Sequence, residues 1–577
     1  MSTLKPFQLK HILCIVFIIF SISNVNAQKM IHKEILGKPT DHTISIQAIF
    51  DTAVQVRILY GFSNNFTDQT PWQFFNAGQT AEIELTALSA DTLYYYELQY
   101  RKPNDNKIFF NPVHQFRTQR AKGKSFTFVI QADPHLDEQS DTAVYNRCLK
   151  NQLEDQPDFM IDLGDFLMTD KLRNASKKVP KDTIPYRCHL LRNYYENICH
   201  SVPLYIALGN HEGEAGWNLT GTADNMAVWS SIERQKYFLN PKPNTFYTGD
   251  TTMQKFIGQR GNYYAWEWGD ALFIVLDPYW YTKVKPDSLN GWRWSLGKTQ
   301  YDWLKTTLEQ SKANYKFVFA HQIIGGDPDG RGGVEYADWY EWGGLNRDGS
   351  NGFAQNRPGW YKPIKDLLKE HRVTIFFHGH DHFFGKQDKN CLVYQECPQP
   401  SHPNFTSVTY AYDYGYHQGQ ILPNSGHIRV KVAPAGVKVE YVRVYLPRNE
   451  TPNRHNKDIS ASYYIGQVNC YDSTQVHVPM ILNQNYLNEH AQPNPFQTST
   501  NIQWQMVKTE TLFIKVFNST GQLVSTLVNG HELSPGAYQV EWNGNDQLGN
   551  PLPSGNYFYT ISNTQSNLHS GTIILNR

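Results

Sequence analysis

The chain lacks the features that mark a nucleic-acid-binding or a membrane-spanning protein. Its 53 Lys and Arg residues are matched by 53 Asp and Glu residues, so the formal net charge is zero. A neutral chain gives no electrostatic reason to expect a nucleic-acid partner or an anionic membrane surface. Beyond residue 27, no apolar run approaches the roughly 20 residues that a membrane-spanning helix needs. We therefore expect no stable membrane insertion.

Cysteine is also scarce, with seven residues among 577. None stands in a Cys-x-x-Cys pair, which argues against a zinc site built from thiolates. The cysteines closest in sequence are Cys188 with Cys199 and Cys391 with Cys397. Disulfides are permitted in an oxidising compartment, but the sequence does not fix which cysteines pair.

The one substantial apolar run stands near the N-terminus. Lys5 and Lys10 precede it, residues 12–22 form it, and Ala27 offers a small residue for cleavage. A basic start, a short apolar core and a small residue are the parts of a secretory signal peptide. We expect residues 1–27 to be such a peptide, and an uncleaved membrane anchor is the alternative.

The length of the chain is too great for one hydrophobic core, and its patterns divide it. Residues 29–120 contain short alternating strands with polar spacers, which predicts a β-sandwich. Residues 125–449 alternate strand and helix patterns, as in an α/β domain. Residues 450–484 are polar and poorly periodic, which predicts a linker, and residues 485–577 return to a β pattern with glycine-rich turns.

Five short motifs in the central region end in metal-binding residue types. They are Asp133-Pro134-His135, Gly164-Asp165, Gly209-Asn210-His211-Glu212, His321 and Gly379-His380-Asp381-His382. Each follows an apolar run that reads as a buried strand: Phe126–Ile130, Phe159–Leu163, Leu204–Leu208, Phe317–Ala320 and Val373–Phe377. Because ligands bind beyond the carboxyl ends of strands in open α/β sheets, we expect one site to gather all five motifs.

The chemistry of these side chains predicts a pair of metal ions. Carboxylate and imidazole together suit Zn, Mn or Fe, whereas Mg and Ca favour oxygen ligands. The set is larger than one tetrahedral ion needs, so two ions that share a carboxylate fit better. Paired ions stabilise the attacking and leaving oxygens of a displacement and lower the pKa of bound water. Phosphoester hydrolysis needs both effects.

The ordered motifs, from about Phe126 to His382, resemble the calcineurin-like metallophosphoesterase superfamily. The resemblance implies an α/β fold with a central β-sandwich flanked by helices, here with all-β sandwiches at both ends. It also implies that Asp165 bridges two metal ions and that His211 contacts the phosphoryl group and protonates the leaving oxygen, with Glu212 orienting His211. The implied ligands are Asp133, His135 and His382 for one ion and Asn210, His321 and His380 for the other.

The chain departs from the purple acid phosphatase branch of this superfamily at two positions. That branch has a tyrosine ligand three residues after the aspartate of Gly-Asp, where this chain has Met168. It also lacks the histidine of the first motif, which is present here as His135. The resemblance is therefore to the non-purple, dimetal branch, and the ions stay open among Fe, Mn and Zn.

The flanking modules carry two further resemblances. Residues 88–96 resemble a turn of fibronectin type III modules, which often precede catalytic domains of this superfamily, so the first sandwich is also purple-acid-phosphatase-like. Residues 494–496, 517–522, 542–544 and 554–559 resemble the type IX secretion sorting domain. That β-sandwich directs Gram-negative bacterial proteins across the outer membrane, which implies the secretion machinery as a partner. An ordinary Ig-like module is the alternative.

The sequence thus predicts a secreted or cell-surface enzyme that uses a hydroxide bridging two metal ions to attack phosphorus. A small phosphomonoester is the expected substrate, and phosphodiesterase or nucleotidase activity is the alternative. A glycan-binding surface adhesin with an inactive phosphoesterase fold is a hypothesis of another class, motivated by the two flanking sandwiches and a 14% aromatic content. The complete ligand set argues against it.

Two segments near the motifs can each be interpreted in two ways. The glycine-rich stretch 325–333 is typical of a flexible surface loop, and the alternative is a substrate loop in which Arg331 pairs with a phosphate oxygen. The aromatic segment 412–417 favours a packed strand over a lining of the cleft.

Overall fold

The computed structural model describes residues 30–286, 290–326, 330–466, 486–506, 509–519, 521–534, 536–563 and 567–577. The predicted signal peptide lies outside the described residues, as do Cys14, Cys470 and residues 467–484 of the predicted linker. No helix of the described residues is long and apolar enough to cross a membrane.

The N-terminal module consists of two β-sheets that pack around one core. Its strands are β1 (Met30–Gly37), β2 (Ile44–Phe50), β3 (Val54–Gly61), β4 (Asp68–Gln69), β5 (Gln73–Phe75), β6 (Thr80–Leu85), β7 (Leu93–Arg101), β8 (Phe109–Phe110) and β9 (His114–Arg117). One sheet has the order β1-β2-β6, and the other has the order β4-β3-β7-β8, with β5 on β3 and β9 on β7. Buried side chains alternate along β6 and the first half of β7, as expected when one face of each strand covers a core.

The central domain mixes strands and helices. Its strands are β10 (Phe126–Gln131), β11 (Phe159–Asp162), β12 (Leu204–Ile206), β13 (Thr248–Gly249), β14 (Tyr264–Trp268), β15 (Ala271–Val275), β16 (Tyr315–Phe319), β17 (Ile375–His378), β18 (Phe384–Lys389), β19 (Leu392–Glu396), β20 (Gln420–Leu422), β21 (Gly426–Ala433), β22 (Gly436–Arg443) and β23 (Ile459–Gly466). Its helices are α1 (Thr142–Glu154), α2 (Thr183–Cys199), α3 (Met226–Tyr237), α4 (Lys298–Gln310), α5 (Tyr340–Gly343), α6 (Phe353–Asn356), α7 (Ile364–Glu370) and α8 (Thr409–Asp413).

Two sheets face each other in this domain. One has the order β12-β11-β10-β21-β22-β23, and the other has the order β13-β14-β15-β16-β17-β19-β18-β20. Phe128 of the first sheet packs against Phe273 and Phe317 of the second, with ring centroids 5.1 and 5.6 Å apart. A second core joins the outer faces of the sheets to the helices, where α1 and α2 bury Tyr145 and Leu191. The predicted fold class is therefore confirmed.

Helix α1 shows how the local sequence sets an element. Asp141 precedes it in an extended conformation, and its carboxylate accepts hydrogen bonds from the backbone N–H groups of Ala143 and Val144. Such a cap satisfies donors that the first turn leaves unpaired. The buried face includes Val144, Tyr145 and Leu149, so the helix begins at a capping residue and is held by an apolar stripe.

The segment expected to be a linker contributes a strand to the central domain. Strand β23 pairs antiparallel with β22, from Gly436 opposite Gly466 to Val442 opposite Ile459, and forms the edge of its sheet. Side chains along β23 are mostly exposed or half-buried. Only Ala461 of this strand is buried, so neither face needs a row of apolar residues, and residues 459–466 show little hydrophobic periodicity.

Neither cysteine pair that is close in sequence forms a disulfide. Cys188, Cys199 and Cys397 are buried free thiols, as is Cys148. Cys188 and Cys199 both lie on α2, where their separation along the sequence corresponds to about 16 Å of helix rise. A disulfide needs Cα atoms within about 7 Å. Cys391 is disulfide-bonded, and its partner lies outside the described residues.

The C-terminal module is also all-β. Its strands are β24 (Tyr486–Gln492), β25 (Thr500–Met506), β26 (Glu510–Phe517), β27 (Leu523–Leu533), β28 (Gly536–Trp542), β29 (Gly555–Ser562) and β30 (Asn567–Leu575). They form sheets of order β24-β25-β28 and β27-β26-β29-β30. Trp504, Trp542 and Tyr559 lie in one buried cluster drawn from both sheets, as in a β-sandwich.

The N-terminal module packs against helix α2 of the central domain. The buried guanidinium of Arg192 donates hydrogen bonds to the carbonyl groups of Lys33 and Gln47, each at 2.9 Å. The rings of His114 and His200 stack across the same interface with centroids 4.0 Å apart. The two domains are therefore joined by buried polar contacts.

Candidate metal centre

The five motifs each follow a strand, and these strands end at the same edge of their sheets. In the first sheet, β10, β11 and β12 are parallel, and Gln131 and Asp162 are register partners near their ends. In the second sheet, β16 and β17 are parallel up to the pair Phe319 and Phe377. The carboxyl ends of parallel strands meet at one edge, so the polar residues that follow them converge.

A first group of donor atoms comes from the first and last motifs. Asp133, His135 and His382 each offer one ligand atom, and these atoms lie within 4.8 Å of one another. Asp133 Oδ1 is 3.6 Å from His135 Nε2 and 3.3 Å from His382 Nε2. The structure thus brings together the three residues predicted to hold one ion.

A second group lies beside the first. It consists of Asp165, His321 and His380, whose ligand atoms also lie within 4.8 Å of one another. His321 Nε2 is 3.2 Å from both Asp165 Oδ2 and His380 Nδ1. Asp165 Oδ2 is also 3.8 Å from His135 Nε2 of the first group. Asp165 therefore lies between the two groups, the position expected for the carboxylate that the sequence predicts to be shared.

Three buried donor atoms at this site have no hydrogen-bond partner within the described residues. They are Asp133 Oδ1, His135 Nε2 and Asn210 Oδ1. A buried polar atom without a partner costs about 1–3 kcal/mol, and three at one place call for a ligand that satisfies them. Metal ions that accept both nitrogen and oxygen donors fit these atoms.

Left-handed backbone conformations concentrate at the same residues. Positive φ angles occur at Asp133 (57°), His135 (48°), Asp165 (55°), His380 (79°) and His382 (65°). Non-glycine residues rarely adopt this region, and each such residue costs about 1–3 kcal/mol. Strain of this kind persists where the surrounding structure fixes it, and here it turns the side chains towards one centre.

Glycines in the motifs allow the close approach of the loops. A Cβ atom on Gly379 would lie 2.6 Å from Asp133 Oδ2, and one on Gly209 would collide with the side chain of Asp165. Gly164 has a φ of 102°. The glycines that precede the ligands are therefore required by packing at the site as well as by the turn geometry.

The titration of these groups reflects their mutual contacts. Burial lowers the pKa of His135, but the neighbouring carboxylates of Asp133 and Asp137 outweigh burial and raise that pKa to about 9. Burial opposes ionisation of Asp133, yet His321 and His382 hold its pKa well below the usual value. Burial lowers the pKa of His380, and the charge of Arg331 adds to this. The carboxylates and imidazoles of the site thus share protons, and bound metal ions would displace these protons.

His211 pairs with a carboxylate that the sequence analysis missed. Its Nδ1 atom lies 2.7 Å from Asp170 Oδ1, and its Nε2 atom lies 3.9 Å from Asp165 Oδ2. The side chain is 16% exposed, so one ring nitrogen is fixed by Asp170 while the other lies near the donor groups. The only available signal for Asp170 was a carboxylate shortly after the Gly-Asp motif.

The expected role of Glu212 was wrong. Its carboxylate accepts hydrogen bonds from the backbone N–H groups of Asp165 and Leu167 at 3.0 Å and of Phe166 at 2.9 Å, and from Gly209. These contacts fix the Gly-Asp turn. Glu212 does not orient the His211 ring, because both of its carboxylate oxygens accept hydrogen bonds from the backbone.

The described parts of the glycine-rich stretch are buried rather than loosely exposed. A Cβ atom on Gly330 would collide with Gln322, and Val334 is fully buried. Arg331 Nη1 lies 2.8 Å from Asp381 Oδ1 and 3.1 Å from the carbonyl oxygen of His380. The interpretation of this stretch as a flexible surface loop was therefore wrong for residues 330–333, whose glycines are all buried.

The aromatic segment 412–417 also differs from expectation. Residues 409–413 form helix α8 rather than a strand, and Tyr412 is 69% exposed. Tyr416 is buried and its hydroxyl donates a hydrogen bond of 2.8 Å to Asp381 Oδ2. A run of aromatics has no clear period, so sequence alone did not separate the two kinds of element.

Comparison with known families agrees with this geometry. Residues 126–384 match the calcineurin-like phosphoesterase family. The central domain is a calcineurin-like phosphoesterase domain. The predicted enzyme class, a metallophosphoesterase acting on phosphoric esters, is confirmed. Residues 493–567 match the FlgD Ig-like domain family, and no curated protein matches the chain.

Two solved structures share the architecture of this phosphoesterase. A structure of PhoD has 15% sequence identity and a TM-score of 0.55, covering 77% of this chain and 92% of that one. The purple acid phosphatase PPD1 from yellow lupin (Lupinus luteus) seeds has 14% identity and a TM-score of 0.52, covering 75% of this chain and 74% of that one. At such identities the likeness establishes the fold alone.

Proposed function

We propose that the chain is a secreted, metal-dependent phosphomonoesterase with two transition-metal ions in its site. The observation that carries this proposal is the convergence of donor atoms from four strand ends. Two of these atoms, on Asp133 and His135, are buried without a hydrogen-bond partner within the described residues, as is Oδ1 of Asn210 from the fifth motif. The proposed ligands are Asp133, His135 and His382 for one ion, Asn210, His321 and His380 for the other, and Asp165 as the bridge.

The site residues have separate tasks in this proposal. When bound, two such ions lower the pKa of water and neutralise charge on the phosphoryl group. Asp165 lies between the donor groups and fixes their spacing. His211 Nε2, 3.9 Å from Asp165 Oδ2, donates a proton to the leaving oxygen. Asp170 accepts a hydrogen bond from His211 Nδ1 and so fixes the orientation of the ring.

A phosphomonoester is the preferred substrate class, and a phosphodiester or nucleotide is the alternative. The similarity in fold to a purple acid phosphatase supports the monoester. Hydrolysis of 4-nitrophenyl phosphate and bis(4-nitrophenyl) phosphate, with Mn, Zn or Fe supplied, tests the choice. We expect the higher kcat/KM with the monoester. A higher value with the diester would make the enzyme a phosphodiesterase, and no turnover of either by protein holding two ions would contradict the proposal.

Metal analysis separates this proposal from the adhesin hypothesis. An active phosphoesterase should hold close to two equivalents of transition metal after purification or after metal is added back. Less than one equivalent that cannot be restored would favour an inactive fold that serves another purpose. The glycan-binding hypothesis then needs its own test, which is binding of the chain to immobilised polysaccharides.

Export is proposed from the two ends of the chain. Residues 1–27 would be a signal peptide, and residues 485–577 would be a type IX sorting domain, for which the Ig-like match at residues 493–567 supports the module type. In a host with type IX secretion, the full chain should reach the cell surface or medium, and a chain without residues 485–577 should stay in the periplasm. Equal export of both chains would leave the Ig-like alternative.

A further inference from the structure

Arg331 is held beside the last metal-binding motif by contacts at one edge of its guanidinium. Nη1 donates to Asp381 Oδ1 and to the carbonyl oxygen of His380, at 2.8 and 3.1 Å. The guanidinium carbon lies 4.2 Å from the centroid of the Tyr414 ring, over its face. The neighbouring residues Gly330 and Gly332 are buried, while the Arg331 side chain keeps 25% of its surface exposed. A cation is thus fixed where the buried loop meets solvent.

Asp381 anchors this arginine. It stands between His380 and His382 in the motif, and its side chain is 2% exposed. Besides Arg331, the backbone N–H of Gly332 donates to it at 2.9 Å, and the hydroxyl of Tyr416 donates at 2.8 Å. A buried carboxylate with donors on both oxygens has a fixed orientation, so the position of the Arg331 guanidinium follows from the motif itself.

The other edge of the guanidinium is available. Arginine carries five N–H donors in a rigid fork, and only those on Nη1 are used by Asp381 and His380. Within the described residues, Nε and Nη2 make no hydrogen bond. They are also not among the buried unpaired atoms, so they remain in contact with solvent. Such a fork matches two oxygens of a phosphoryl group.

We propose that Arg331 binds a non-bridging oxygen of the substrate phosphoryl group and that Asp381 positions it, which selects phosphomonoesters over phosphodiesters. The inference rests on the proposed function. A phosphomonoester has a second pKa of about 6 and is largely a dianion at neutral pH, whereas a diester has one negative charge and one oxygen fewer to offer. An additional fixed cation therefore favours the monoester.

A structural role for the same ion pair makes a different prediction. If Arg331 only held its loop in contact with Asp381, its loss would weaken the fold of the site and reduce turnover of both ester classes together. If it binds the phosphoryl oxygen, its loss reduces turnover of the monoester selectively. The ratio of the two kcat/KM values separates these roles, and a uniform loss of folded protein does not change that ratio.

The first experiment compares Arg331→Gln with the wild-type protein, both loaded with two equivalents of metal. We expect kcat/KM for 4-nitrophenyl phosphate to fall roughly 10- to 100-fold, as for loss of a charge-assisted hydrogen bond. The value for bis(4-nitrophenyl) phosphate should change by less than about threefold. Arg347→Gln is the matched control, since Arg347 is an exposed arginine of the same domain. It should leave both values unchanged.

Binding of inorganic phosphate gives a readout that does not depend on turnover. By calorimetry on metal-loaded protein, Arg331→Gln should raise the dissociation constant about tenfold or more, with Arg331→Lys intermediate because it keeps the charge and loses the fork. Asp381→Asn should also lower the ratio of kcat/KM for the monoester to kcat/KM for the diester, by a smaller factor than Arg331→Gln. Its metal content should stay unchanged.

Two outcomes separate this inference from the proposed function. An equal fall in turnover of both esters, with unchanged phosphate affinity, would overturn the role of Arg331 while leaving the hydrolase proposal intact. A wild-type protein that turns over neither ester, yet binds phosphate through Arg331, would overturn the hydrolase proposal and support the phosphate contact.

Discussion

The Nδ1 atom of His211 lies 2.7 Å from Oδ1 of Asp170, and both side chains are 16% exposed. A carboxylate at this nitrogen places the proton on Nδ1 and fixes the plane of the ring, so the Nε2 atom is presented to the cleft. Asp170 is held in turn by the short 3-10 segment Thr169–Lys171, which follows Met168 in a left-handed conformation. The acid in the proposed reaction is thus oriented by a residue that lies outside the five motifs.

The Asp170→Asn substitution tests this arrangement. An amide keeps the size of the side chain and removes the negative charge that accepts the hydrogen bond from His211 Nδ1. Because a positioned acid contributes about 10²–10⁴-fold, we expect kcat to fall by at least about tenfold for an alkyl phosphate. The fall should be smaller for 4-nitrophenyl phosphate, whose leaving group needs little protonation. Steady-state kinetics with the two substrates measures the difference.

Glu212→Gln is the matched control for that experiment. Glu212 accepts backbone hydrogen bonds from Phe166 and Leu167 and does not contact the His211 ring. Its substitution should lower thermal stability and change kcat for both leaving groups by the same factor. If Glu212→Gln, rather than Asp170→Asn, produced the dependence on leaving group, the assignment of Asp170 as the partner of His211 would be wrong.

Asp165→Asn tests the bridging position. Asp165 Oδ2 lies 3.2 Å from His321 Nε2 and 3.8 Å from His135 Nε2, so loss of its charge affects both donor groups. We expect turnover to fall below roughly 1% of wild type and metal content to fall by one equivalent or more, while the circular dichroism spectrum stays unchanged. A folded variant with two equivalents of metal and wild-type rates would contradict the assigned site.

Metal removal should lower stability without unfolding the chain. The large aromatic core between the two sheets contains none of the proposed metal ligands, so the apoprotein should keep its secondary structure. Bound ions stabilise only the folded state, by about 2.7 kcal/mol per site at a concentration 100 times the dissociation constant. We expect chelation to lower the unfolding midpoint measured by differential scanning fluorimetry and re-addition of metal to restore it. An unchanged midpoint with and without metal would mean that no ion binds there.

Much of the site was predictable from the sequence because strand ends carry the ligands. Apolar runs such as 126–130 and 317–320 mark buried strands whose carboxyl ends meet, and the residues after them are of metal-binding type. Asp133 and His321 come from different sheets, yet their ligand atoms lie 3.8 Å apart. The periodicity of the strands and the rule for ligand placement in α/β sheets were sufficient for this part.

The partners of the ligands were less predictable because they depend on loops. Asp170, Arg331 and Tyr416 reach the site through left-handed turns, a glycine-rich stretch and a short helix, none of which has a hydrophobic period. The edge strand β23 is similar, because only Ala461 in it is buried and its two faces show little contrast between apolar and polar residues. The sequence left the cysteine pairing open, and helix α2 excludes one possibility, because Cys188 and Cys199 lie too far apart on it to pair.

The interface between the N-terminal module and the central domain contains a stacked pair of histidines. His200 on the end of α2 stacks on His114 of β9, with centroids 4.0 Å apart. Burial, together with the charge of His114, lowers the pKa of His200 to about 4, while Glu34 opposes this and Lys33 adds to it. His114 also lies 3.3 Å from Glu34. Protonation of His200 is therefore disfavoured in the folded protein.

We expect His200 to make the protein less stable in acid. A free histidine titrates near 6.5, so the unfolded chain takes up a proton below that pH while folded His200 stays neutral until about pH 4. Stability from this group is complete above pH 6.5 and declines as the pH falls towards 4, by on the order of 1–3 kcal/mol. His200→Gln should therefore reduce the fall in the unfolding midpoint between pH 7 and pH 4.5, whereas exposed His42→Gln should not. Equal pH dependence in all three proteins would show that the His114–His200 contact does not bear on acid stability.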